Sequence, residues 1–499
     1  MASRAKRRCH VVVVGAGNAA LTAALAAREK GADVLVAEKA PRAERGGNSR
    51  FSGGLFRFAY EGVEELKPLL PSIPSGEWNR VEVGNYSSER YFEDIMRVTR
   101  GRADPELTRT LAEQSYPTVL WMAGVGIEWQ WTSLWSVESG GKRRFNPGSI
   151  LEVKNKGLGL MDYLFAACER AGIHLLHEAE MLDFLQDGGG VRGVRLRTPG
   201  GLTDIESGAV VLGSGGFEAS AEMRARYLGP NWEKVKVRGT RHNTGETLRM
   251  ALDLGAKPAG DFQGCHATPV DANAPALGQI HLTDKTNRLS YPYSIMVNTL
   301  GRRFVDEGED LGQYTYAKIG HAILAQPGAV AYQIFDKKTV HLLEARYSTG
   351  TPVIAETIDD LARQLAVPPD RLRQTVEAFN AALQPGDFNP AAKDGKSTRG
   401  LDPAKSNWAL PIDTPPYTVY AVTCGITFTY GGIAIDTKAR VLDTRDRPIH
   451  GLYATGEITG GFFYYNYPGG AGLMRGAVFG RLAGAHAATE AMSRWKGNP

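Results

Sequence analysis

The residues with the clearest chemical meaning lie near the N-terminus, where an apolar run meets a glycine-rich turn. Val11 to Val14 lead directly to Gly15 and Gly17, and Glu38 closes a second apolar run, Val34 to Ala37. Glycines here permit a tight strand-to-helix turn and let backbone amides approach a pyrophosphate, and a helix N-terminus adds a favourable dipole. A carboxylate after the second run can accept hydrogen bonds from ribose hydroxyls. The pattern predicts a dinucleotide-binding βαβ unit with cofactor contacts at Gly15, Gly17, Asn18, Ala19, Ala20 and Glu38.

Further glycine-rich turns could help to wrap a flat ligand. The loops Gly46 to Ser49 and Ser52 to Gly54 carry only short side chains, apart from the intervening Arg50 and Phe51. Later, the apolar run Ala209 to Leu212 enters a second turn, Gly213 to Phe217. Short side chains allow the backbone to approach a ligand closely, so we expect both regions to contribute to the cofactor site.

Hydrophobic periodicity predicts the elements that position these loops. The spacing favours a short-stranded β-meander over His174 to Val211. The segments with helical patterns are Ala19 to Lys30, Pro105 to Met122, Met161 to Ala171, Ile358 to Ala366 and Asp370 to Leu383, the last with Asp370 as N-cap. Glycine-rich turns and strands return near the C-terminus, before a final Ala-rich helix. The fold class is therefore α/β with α+β insertions.

The middle of the chain carries helical segments instead of the glycine-rich turns found toward its two ends, which indicates an inserted domain. We expect a Rossmann-like dinucleotide-binding domain in two parts, residues 1–262 and 423–499, around an inserted domain at 263–422. A chain of 499 residues is long enough for this division.

Composition excludes several classes of function. The chain is 42% hydrophobic and 22% charged, and its net charge of +4 is too small for its length to suggest a nucleic-acid partner. No apolar run reaches the roughly 20 residues that cross a bilayer, and no signal-peptide pattern follows the basic N-terminus, so we expect a cytoplasmic protein. Cys9, Cys168, Cys265 and Cys424 are too scattered to hold an iron–sulfur cluster, and no metal site is expected.

Taken together, these motifs resemble the fumarate reductase/succinate dehydrogenase flavoprotein family over nearly the whole chain. Gly301 to Glu307 is similar to its GxRFVxE segment, and Leu372 to Asn380 is similar to its LxxTVxxxN cap helix. Within the family, Gly15 to Leu21, Tyr314 to Lys318 and Gly425 to Gly432 look most like the tricarballylate dehydrogenase branch.

The resemblance implies a Rossmann-like FAD-binding domain, residues 1–262 and 423–499, with the inserted domain at 263–422 as a mobile substrate-binding cap. It also assigns residues to the FAD. Glu457 would accept hydrogen bonds from the ribityl chain, and Ala471, Gly472 and Leu473 at a helix N-terminus would stabilise negative charge on the flavin. The remaining implied contacts are Lys39, Gly46, Gly47, Asn48, Ser49, Ser52, Gly53, Gly54, Ala179, Ser214, Gly215, Gly216, Glu246 and Gly456. Some succinate dehydrogenases attach FAD to a histidine before the pair corresponding to Gly53 and Gly54. This chain has none there, so we expect non-covalent FAD.

The substrate site departs from the family pattern. Soluble fumarate reductases use an arginine acid where this chain has Leu311 to Tyr314, a histidine where it has Phe428 to Tyr430, and an arginine where it has Asn466 to Gly470. Only His266, with Thr268, resembles a retained substrate contact. Reduction of fumarate itself is therefore not expected.

Tyrosines stand where the charged contacts are missing. The turn containing Tyr467 resembles that of the 3-ketosteroid dehydrogenase branch, in which a phenol polarises a carbonyl. We therefore expect Tyr467, Tyr314, Tyr316 and His266 as catalytic candidates, and His266, Thr268, Tyr430 and Tyr467 as substrate contacts. Tyr464 and Tyr465 are further tyrosines of this region. Arg288, Arg302, Arg303, Lys318 and Arg475 could bind carboxylates, although surface or structural roles are more typical of such residues.

These features predict an FAD-dependent dehydrogenase that forms a C=C bond next to a carboxyl or carbonyl group by hydride transfer to flavin N5. By resemblance the leading reaction is tricarballylate to cis-aconitate. One alternative is a ketosteroid-dehydrogenase-like desaturase or ene-reductase acting on a cyclic ketone or enone, and another is a non-catalytic flavin redox sensor. Besides a small-molecule substrate, we expect a separate electron carrier, for example a membrane-bound iron–sulfur protein, to reoxidise the cofactor.

Overall fold

The computed structural model describes residues 5–496 and is built on two large β-sheets. The strands are β1 Ala5–Val14, β2 Val34–Ala37, β3 Leu55–Phe56, β4 Val81–Glu82, β5 Trp129–Trp131, β6 Ser136–Ser139, β7 Lys142–Phe145, β8 Leu151–Val153, β9 His174–Leu176, β10 Glu180–Asp187, β11 Gly190–Thr198, β12 Gly201–Leu212, β13 Lys236–Val237, β14 Pro258–Asp271, β15 Ile295–Asn298, β16 Val330–Phe335, β17 Val353–Ala355, β18 Tyr417–Ile433, β19 Arg440–Leu442 and β20 Pro448–Ala454. The helices are α1 Asn18–Glu29, α2 Val63–Leu66, α3 Ser88–Val98, α4 Pro105–Gly124, α5 Lys156–Arg170, α6 Ala221–Leu228, α7 Glu246–Asp253, α8 Tyr316–Leu324, α9 Ile358–Leu365, α10 Pro369–Ala381 and α11 Ala471–Lys496.

The first sheet contains the predicted βαβ unit. Its order is β10-β11-β12-β1-β2-β9, with β20 parallel to β12 and β19 antiparallel to β20. Because β1 pairs in parallel with both β2 and β12, the carboxyl ends of these three strands meet at one edge. The side chains of Val11, Val12 and Val13 are fully buried, as expected for a central parallel strand. The α/β class is confirmed.

The predicted meander is formed by β10, β11 and β12, which pair consecutively and antiparallel. The short strand β9 is not part of it, since β9 pairs in parallel with β2 at the other edge of the sheet. This parallel pairing adds β9 to the sheet beside β2. It also places the chain after Leu176 beside Glu38, whose backbone N–H donates to Leu176 O.

Close packing of α1 against α11 brings the two ends of the chain together. A Cβ added at Gly480 would lie 2.7 Å from Ala19 O, and one added at Gly484 would lie 2.0 Å from Ala23 O. Glycines spaced by four residues share one helix face, so the helix backbones can approach more closely than larger side chains permit. This contact fixes the N-terminus of α11 next to that of α1.

The second sheet has the order β13-β18-β16-β15, and β14 and β17 also pair with β18. Its longest strands, β14 and β18, pair antiparallel from Pro258↔Ile433 to Asp271↔Val422. The division of the chain at 262/263 and 422/423 stays a prediction. Both of its boundaries fall inside this paired region of β14 and β18, so the second sheet is continuous across them.

A separate apolar cluster lies beneath α9 and α10. It contains Ile295, Ile334, Leu361 and Phe379, all of them buried. The predicted N-cap of α10 is wrong, because Asp370 lies within the first turn and Pro368 occupies the N-cap position. Proline at the first helical position is already restricted to a helical φ, so Pro369 starts this helix.

Two three-stranded sheets complete the architecture, β3-β8-β5 and β4-β7-β6. The segment between β5 and β6 carries Leu134 and Trp135. A Cβ added at Gly469 would lie 2.6 Å from the Trp135 ring, so these sheets hold an aromatic side chain against the turn before α11. None of the helices within residues 5–496 combines the length and apolar character needed to cross a membrane.

Candidate active site

A long cavity of about 1690 Å³, part of it open to solvent, is lined by residues from both large sheets. It collects most of the predicted cofactor contacts: Gly15, Gly17, Asn18, Ala19, Glu38, Lys39, Gly47, Asn48, Ser49, Ser52, Gly53, Ala179, Ser214, Gly215, Gly216, Glu246, Gly456, Glu457, Gly472 and Leu473. The residues that line the cavity do not include the predicted contacts Ala20, Gly46, Gly54 and Ala471. The sequence motifs therefore converge on one continuous site, although their individual cofactor roles stay predictions.

Gly15 and Gly17, the two glycines of the first turn, are required for different structural reasons. Gly15 has φ +99°, and a Cβ there would lie 2.5 Å from Gly213 O, so the fold itself requires glycine. Gly17 has φ −83°, and its nearest contact for a Cβ would be Ser49 Oγ at 3.4 Å. The protein thus leaves the space beside Gly17 open, at the N-terminus of α1, where a pyrophosphate would accept from backbone amides.

At one end of the cavity lie the groups predicted for the adenosine half. The Glu38 carboxylate accepts from Ala40 N at 2.8 Å, and burial raises the pKa of Glu38. Ala179 N donates to Glu38 O at 2.9 Å, which brings the predicted adenine contact beside the predicted ribose contact. Lys39 Nζ lies 3.0 Å from Glu246 Oε2. We call this the adenosine end.

Asn48, which lines the cavity, forms hydrogen bonds with three other segments of the chain. Its Nδ2 donates to Glu218 Oε1 and, at 2.6 Å, to Thr427 O, while its Oδ1 accepts from Thr240 N at 2.8 Å. The chain after the first glycine turn is thereby tied to β18, so Asn48 does more than supply a short side chain to a loop.

Glu218 is a buried acid that sequence reasoning missed. Its Oε1 also accepts from Asn243 Nδ2 at 2.6 Å. Burial, and then the neighbouring Glu457 carboxylate, hold the pKa of Glu218 well above its usual range. Glu457 itself accepts from Thr429 N at 2.8 Å and lines the cavity. The sequence offered one indication of this residue, since Glu218 directly follows the glycine-rich turn Gly213 to Phe217.

The N-terminus of α11 marks the other end of the cavity. Asn18 Nδ2 donates to Leu473 O at 2.9 Å, which links α11 to α1. A Cβ at Gly472 would lie 3.6 Å from the Phe428 ring and 3.7 Å from the Tyr467 ring. The cavity is thus lined by carboxylates, by the space left open beside Gly17 and by the N-termini of α1 and α11, an arrangement that fits an extended dinucleotide. We call the end beside Tyr467 the flavin end.

An aromatic cluster borders the flavin end. The hydroxyls of Tyr316 and Tyr467 are hydrogen-bonded to each other, and both residues line the cavity together with Phe428 and Trp135. The Trp135 ring meets Tyr316 edge-on at 5.4 Å between centroids. Both tyrosines are buried, which brings two predicted catalytic candidates into one pair.

His266 lies behind this pair and not on the cavity wall. Its ring stacks on Phe428 at 5.2 Å and meets Tyr316 and Tyr467 edge-on at 4.9 and 5.0 Å. Neither ring nitrogen has a hydrogen-bond partner among the described residues, and burial, then Arg238, lowers the pKa of His266 well below its usual value. The structure therefore presents His266 as a neutral ring that packs against both tyrosines.

Three other predicted substrate-site residues also lie outside the cavity lining. Thr268 Oγ1 donates to Asn287 Oδ1 at 3.1 Å, and Asn287 does line the cavity. Tyr314 donates to Asp94 Oδ2 at 2.7 Å. Tyr430 is buried, and its ring lies 5.5 Å from that of Phe428. Their roles as substrate contacts stay predictions.

Of the cations suggested by the sequence as carboxylate ligands, Arg288, Arg302, Arg303 and Lys318 do not line the cavity. Arg288, Arg303 and Lys318 pair with Asp271, Glu307 and Glu309, and Arg302 is exposed. Arg475 does line the cavity, where burial lowers its pKa to about 10. Two further arginines, Arg238 and Arg346, reach the wall from parts of the chain that carry no recognisable motif.

Comparison with known proteins agrees with this geometry. The family model described as an FAD binding domain matches residues 10–473. A probable fumarate reductase from Shewanella frigidimarina is 30% identical over 97% of this chain and 75% of its own length. A 4-oxocyclohexanecarboxylate 2-dehydrogenase from Sinomonas cyclohexanicum is 28% identical over 96% of this chain and 93% of its own length.

A solved structure shows the same architecture over nearly the whole of this chain. The open conformation of a flavocytochrome c3 fumarate reductase superposes with a TM-score of 0.71 at 29% identity, covering 97% of this chain and 79% of that one. The cofactor is therefore FAD, and the chain is an oxidoreductase acting on CH–CH bonds instead of a non-catalytic sensor. The chain belongs to the fumarate reductase/succinate dehydrogenase flavoprotein family.

Proposed function

We propose that this protein dehydrogenates the carbon–carbon single bond next to a ketone carbonyl of a small substrate. The observation that carries the proposal is the hydrogen-bonded pair of Tyr316 and Tyr467 on the cavity wall, with Tyr467 beside Gly472 at the start of α11. A phenol is a neutral hydrogen-bond donor that suits a carbonyl oxygen, whereas the fumarate reductase positions with charged contacts are altered here.

The pair is arranged to offer a proton to a ligand. Burial raises the pKa of Tyr467, although the Tyr316 hydroxyl partly offsets this, and burial raises the pKa of Tyr316 well above its usual value. Both phenols are therefore protonated at neutral pH. When Tyr316 donates to Tyr467, the Tyr467 proton is free to hydrogen-bond the substrate carbonyl. That bond strengthens as negative charge develops on the oxygen, which acidifies the adjacent C–H group.

The reaction then balances as loss of a hydride and a proton from neighbouring carbons. Bound FAD supplies the hydride acceptor at flavin N5. The α-proton would pass to a base, and a separate electron carrier would take the two electrons. Leu134, Trp135 and Phe428 give the wall beside the tyrosine pair an apolar lining, which would limit the access of water to the reacting carbons.

Among substrates, the tyrosine pair and one relative support a ketone over a tricarboxylate. Tricarballylate would bring three negative charges, whereas Trp135, Phe428, Tyr316 and Tyr467 give part of this wall an aromatic surface. The name of the Sinomonas relative describes dehydrogenation of a ring that carries both a ketone and a carboxylate. Tricarballylate to cis-aconitate, the reaction implied by branch resemblance, is therefore our second candidate and serves as a direct comparison.

Anaerobic mixing tests the choice. We expect cyclic ketones such as 4-oxocyclohexanecarboxylate to bleach the absorbance of the oxidised flavin in purified holoenzyme, and tricarballylate to leave it unchanged. The product should be the ring with a C=C bond adjacent to the ketone. Bleaching by tricarballylate but by no ketone would contradict the proposal and favour activation by a carboxyl group.

The FAD is expected to be non-covalent. Among the described residues that line the cavity, the histidine is His242, and its Nε2 lies 2.7 Å from Glu44 Oε2 toward the adenosine end. His266 packs behind the tyrosine pair and does not line the cavity, so no described residue that lines the flavin end is a histidine. Denaturation should release intact FAD into the supernatant. Flavin that stays with the precipitated chain would contradict this expectation.

A further inference from the structure

Two arginines and one aspartate lie on the cavity wall near the tyrosine pair. A Cβ added at Gly53 would lie 3.2 Å from Asp284 Oδ2 and 3.6 Å from Arg346 Nη2, so these charges face the second glycine loop. Arg238 is close enough to Tyr316 and Tyr467 to lower the pKa of both phenols. We call this group of residues, together with the tyrosine pair, the substrate end of the cavity.

Arg346 carries donors that no protein group uses. The residue is only 7% exposed, and its Nε and Nη1 have no hydrogen-bond partner among the described residues. Its Nη2 lies 2.8 Å from Asp284 Oδ2, and its Nη1 is 3.6 Å from Glu344 Oε2. A buried guanidinium with two unused N–H groups is costly unless a ligand accepts from them.

Arg238 and Asn287 add donors on the same wall. Arg238 uses Nε toward Thr427 Oγ1 at 3.1 Å and Nη1 toward Phe51 O at 3.2 Å, which leaves Nη2 for a ligand. The Asn287 side chain is oriented by Thr268, which donates to its Oδ1, and so its Nδ2 is available as a donor. Thr268 therefore acts through Asn287.

The two arginines differ in their ion pairs. Arg346 faces two carboxylates, Asp284 at 2.8 Å and Glu344 at 3.6 Å. Burial alone would raise the pKa of Asp284, but Arg346, Lys156 and Arg238 together hold it below its usual value, so Asp284 stays ionised beside Arg346. Arg238 forms no ion pair with another described residue, and burial lowers its pKa although Asp284 partly offsets this effect. Arg238 is therefore the cation of this wall that a ligand anion could pair with.

The fold holds Arg346 in place through a second arginine. Arg288 is 1% exposed, donates through Nη1 to Arg346 O at 3.0 Å and pairs through Nη2 with Asp271 Oδ2 at 2.7 Å. The Arg288 guanidinium thus anchors the backbone that carries Arg346. A rigid, partly desolvated arginine suits bidentate recognition of a carboxylate.

We infer that Arg238, Arg346 and the Asn287 amide form a binding site for one carboxylate group, so that the substrate is an oxo acid with its ketone at Tyr467 and its carboxylate at this site. The ketone half of this inference rests on the proposed function. The carboxylate half rests on the two arginines alone, and binding without turnover can test it separately.

The test is a titration of oxidised holoenzyme with cyclohexanecarboxylate, followed by perturbation of the flavin spectrum, against the neutral isostere cyclohexanecarboxamide. We expect the acid to bind at least about tenfold more tightly than the amide. Arg346→Gln and Arg238→Gln should each weaken binding of the acid by about 10- to 100-fold, the scale of one hydrogen bond to a charged group, and change binding of the amide by less than about twofold.

Two further variants keep the result interpretable. Arg346→Gln leaves Asp284 unpaired, so the double variant Arg346→Gln/Asp284→Asn removes both charges together and should show the same loss with full FAD content. Arg399→Gln, at an exposed arginine, is the matched control and should bind the acid normally.

Equal affinity for acid and amide, or unchanged binding in both arginine variants, would overturn the inference. If that occurs while ketones still bleach the flavin, the proposed dehydrogenation stands and only the carboxylate site fails. If the acid binds through both arginines while no ketone reduces the flavin, the carboxylate site is supported and the proposed function is contradicted.

Discussion

Replacing Tyr467 by phenylalanine is expected to slow flavin reduction by a saturating ketone substrate by about 10² to 10³, the loss typical of one oxyanion donor. The ring stays, and with it the packing against His266, Phe428 and Phe463, whose centroids lie 5.0 to 5.2 Å away. Only the hydroxyl at the substrate end disappears. Binding of substrate should weaken much less than the rate, since the hydrogen bond strengthens mainly as charge develops on the carbonyl oxygen.

Stopped-flow measurement of flavin reduction separates this effect from misfolding. Tyr465→Phe is the matched control, because Tyr465 is two residues away in the same turn and 41% exposed, and it should reduce at the normal rate. Tyr316→Phe should have a smaller effect than Tyr467→Phe if Tyr316 serves to orient its partner. A normal rate in Tyr467→Phe with full FAD content would remove Tyr467 from the mechanism and point to Tyr316 or Tyr314.

The features predictable from sequence are those set by neighbours along the chain. The turn at Gly15 and Gly17, the strand before it and the helix after it depend on φ angles, side-chain size and apolar periodicity within about 30 residues. Glu38 follows the next strand, and it lies near the glycine turn because parallel strands end at the same edge of a sheet. The meander from Glu180 to Leu212 was predictable for the same reason, as its turns carry glycine.

The features that could not be predicted depend on contacts between distant segments. Arg238 and Arg346 are 108 positions apart in the sequence. Arg238 follows β13, Arg346 lies in the short helical turn Ala345–Thr349, and both line the same cavity. Nothing local distinguishes Arg346 from Arg302 or Arg303. Burial separates Arg346 from the exposed Arg302, and unused donors separate it from Arg303, whose side chain is equally buried but pairs with Glu307. Composition around Glu218 likewise gives no sign of Asn48, 170 residues earlier, as its partner.

His266 and Thr268 show an intermediate case. Motif similarity selected two residues that contact the cavity lining without belonging to it. The structure places His266 behind Tyr316 and Tyr467, and it places Thr268 behind Asn287. A motif carries residue types between relatives, but the direction of each side chain depends on which neighbours have been replaced, and here tyrosines occupy the intervening space.

The Gly17→Val variant is expected to lose FAD, with affinity falling by at least about 100-fold, which corresponds to about 2.7 kcal/mol. The fold should tolerate the change, because Gly17 has an ordinary φ of −83° and a Cβ there meets no protein atom closer than 3.4 Å. The branched side chain would instead occupy the space that the cavity keeps open beside the N-terminus of α1. A pyrophosphate would then be held away from the backbone amides that should bind it.

The comparison with Gly15 and Gly76 makes this expectation specific to the cofactor. Gly15→Val should destabilise the protein itself, since its φ is +99° and its Cβ would meet Gly213 O at 2.5 Å. Gly76→Val, in open space on the surface, should bind FAD normally. Flavin absorbance of the purified variants, with circular dichroism to verify folding, distinguishes the three. Full FAD occupancy in folded Gly17→Val would mean that the phosphates lie elsewhere along the cavity, and the glycine turn would then have only a structural role.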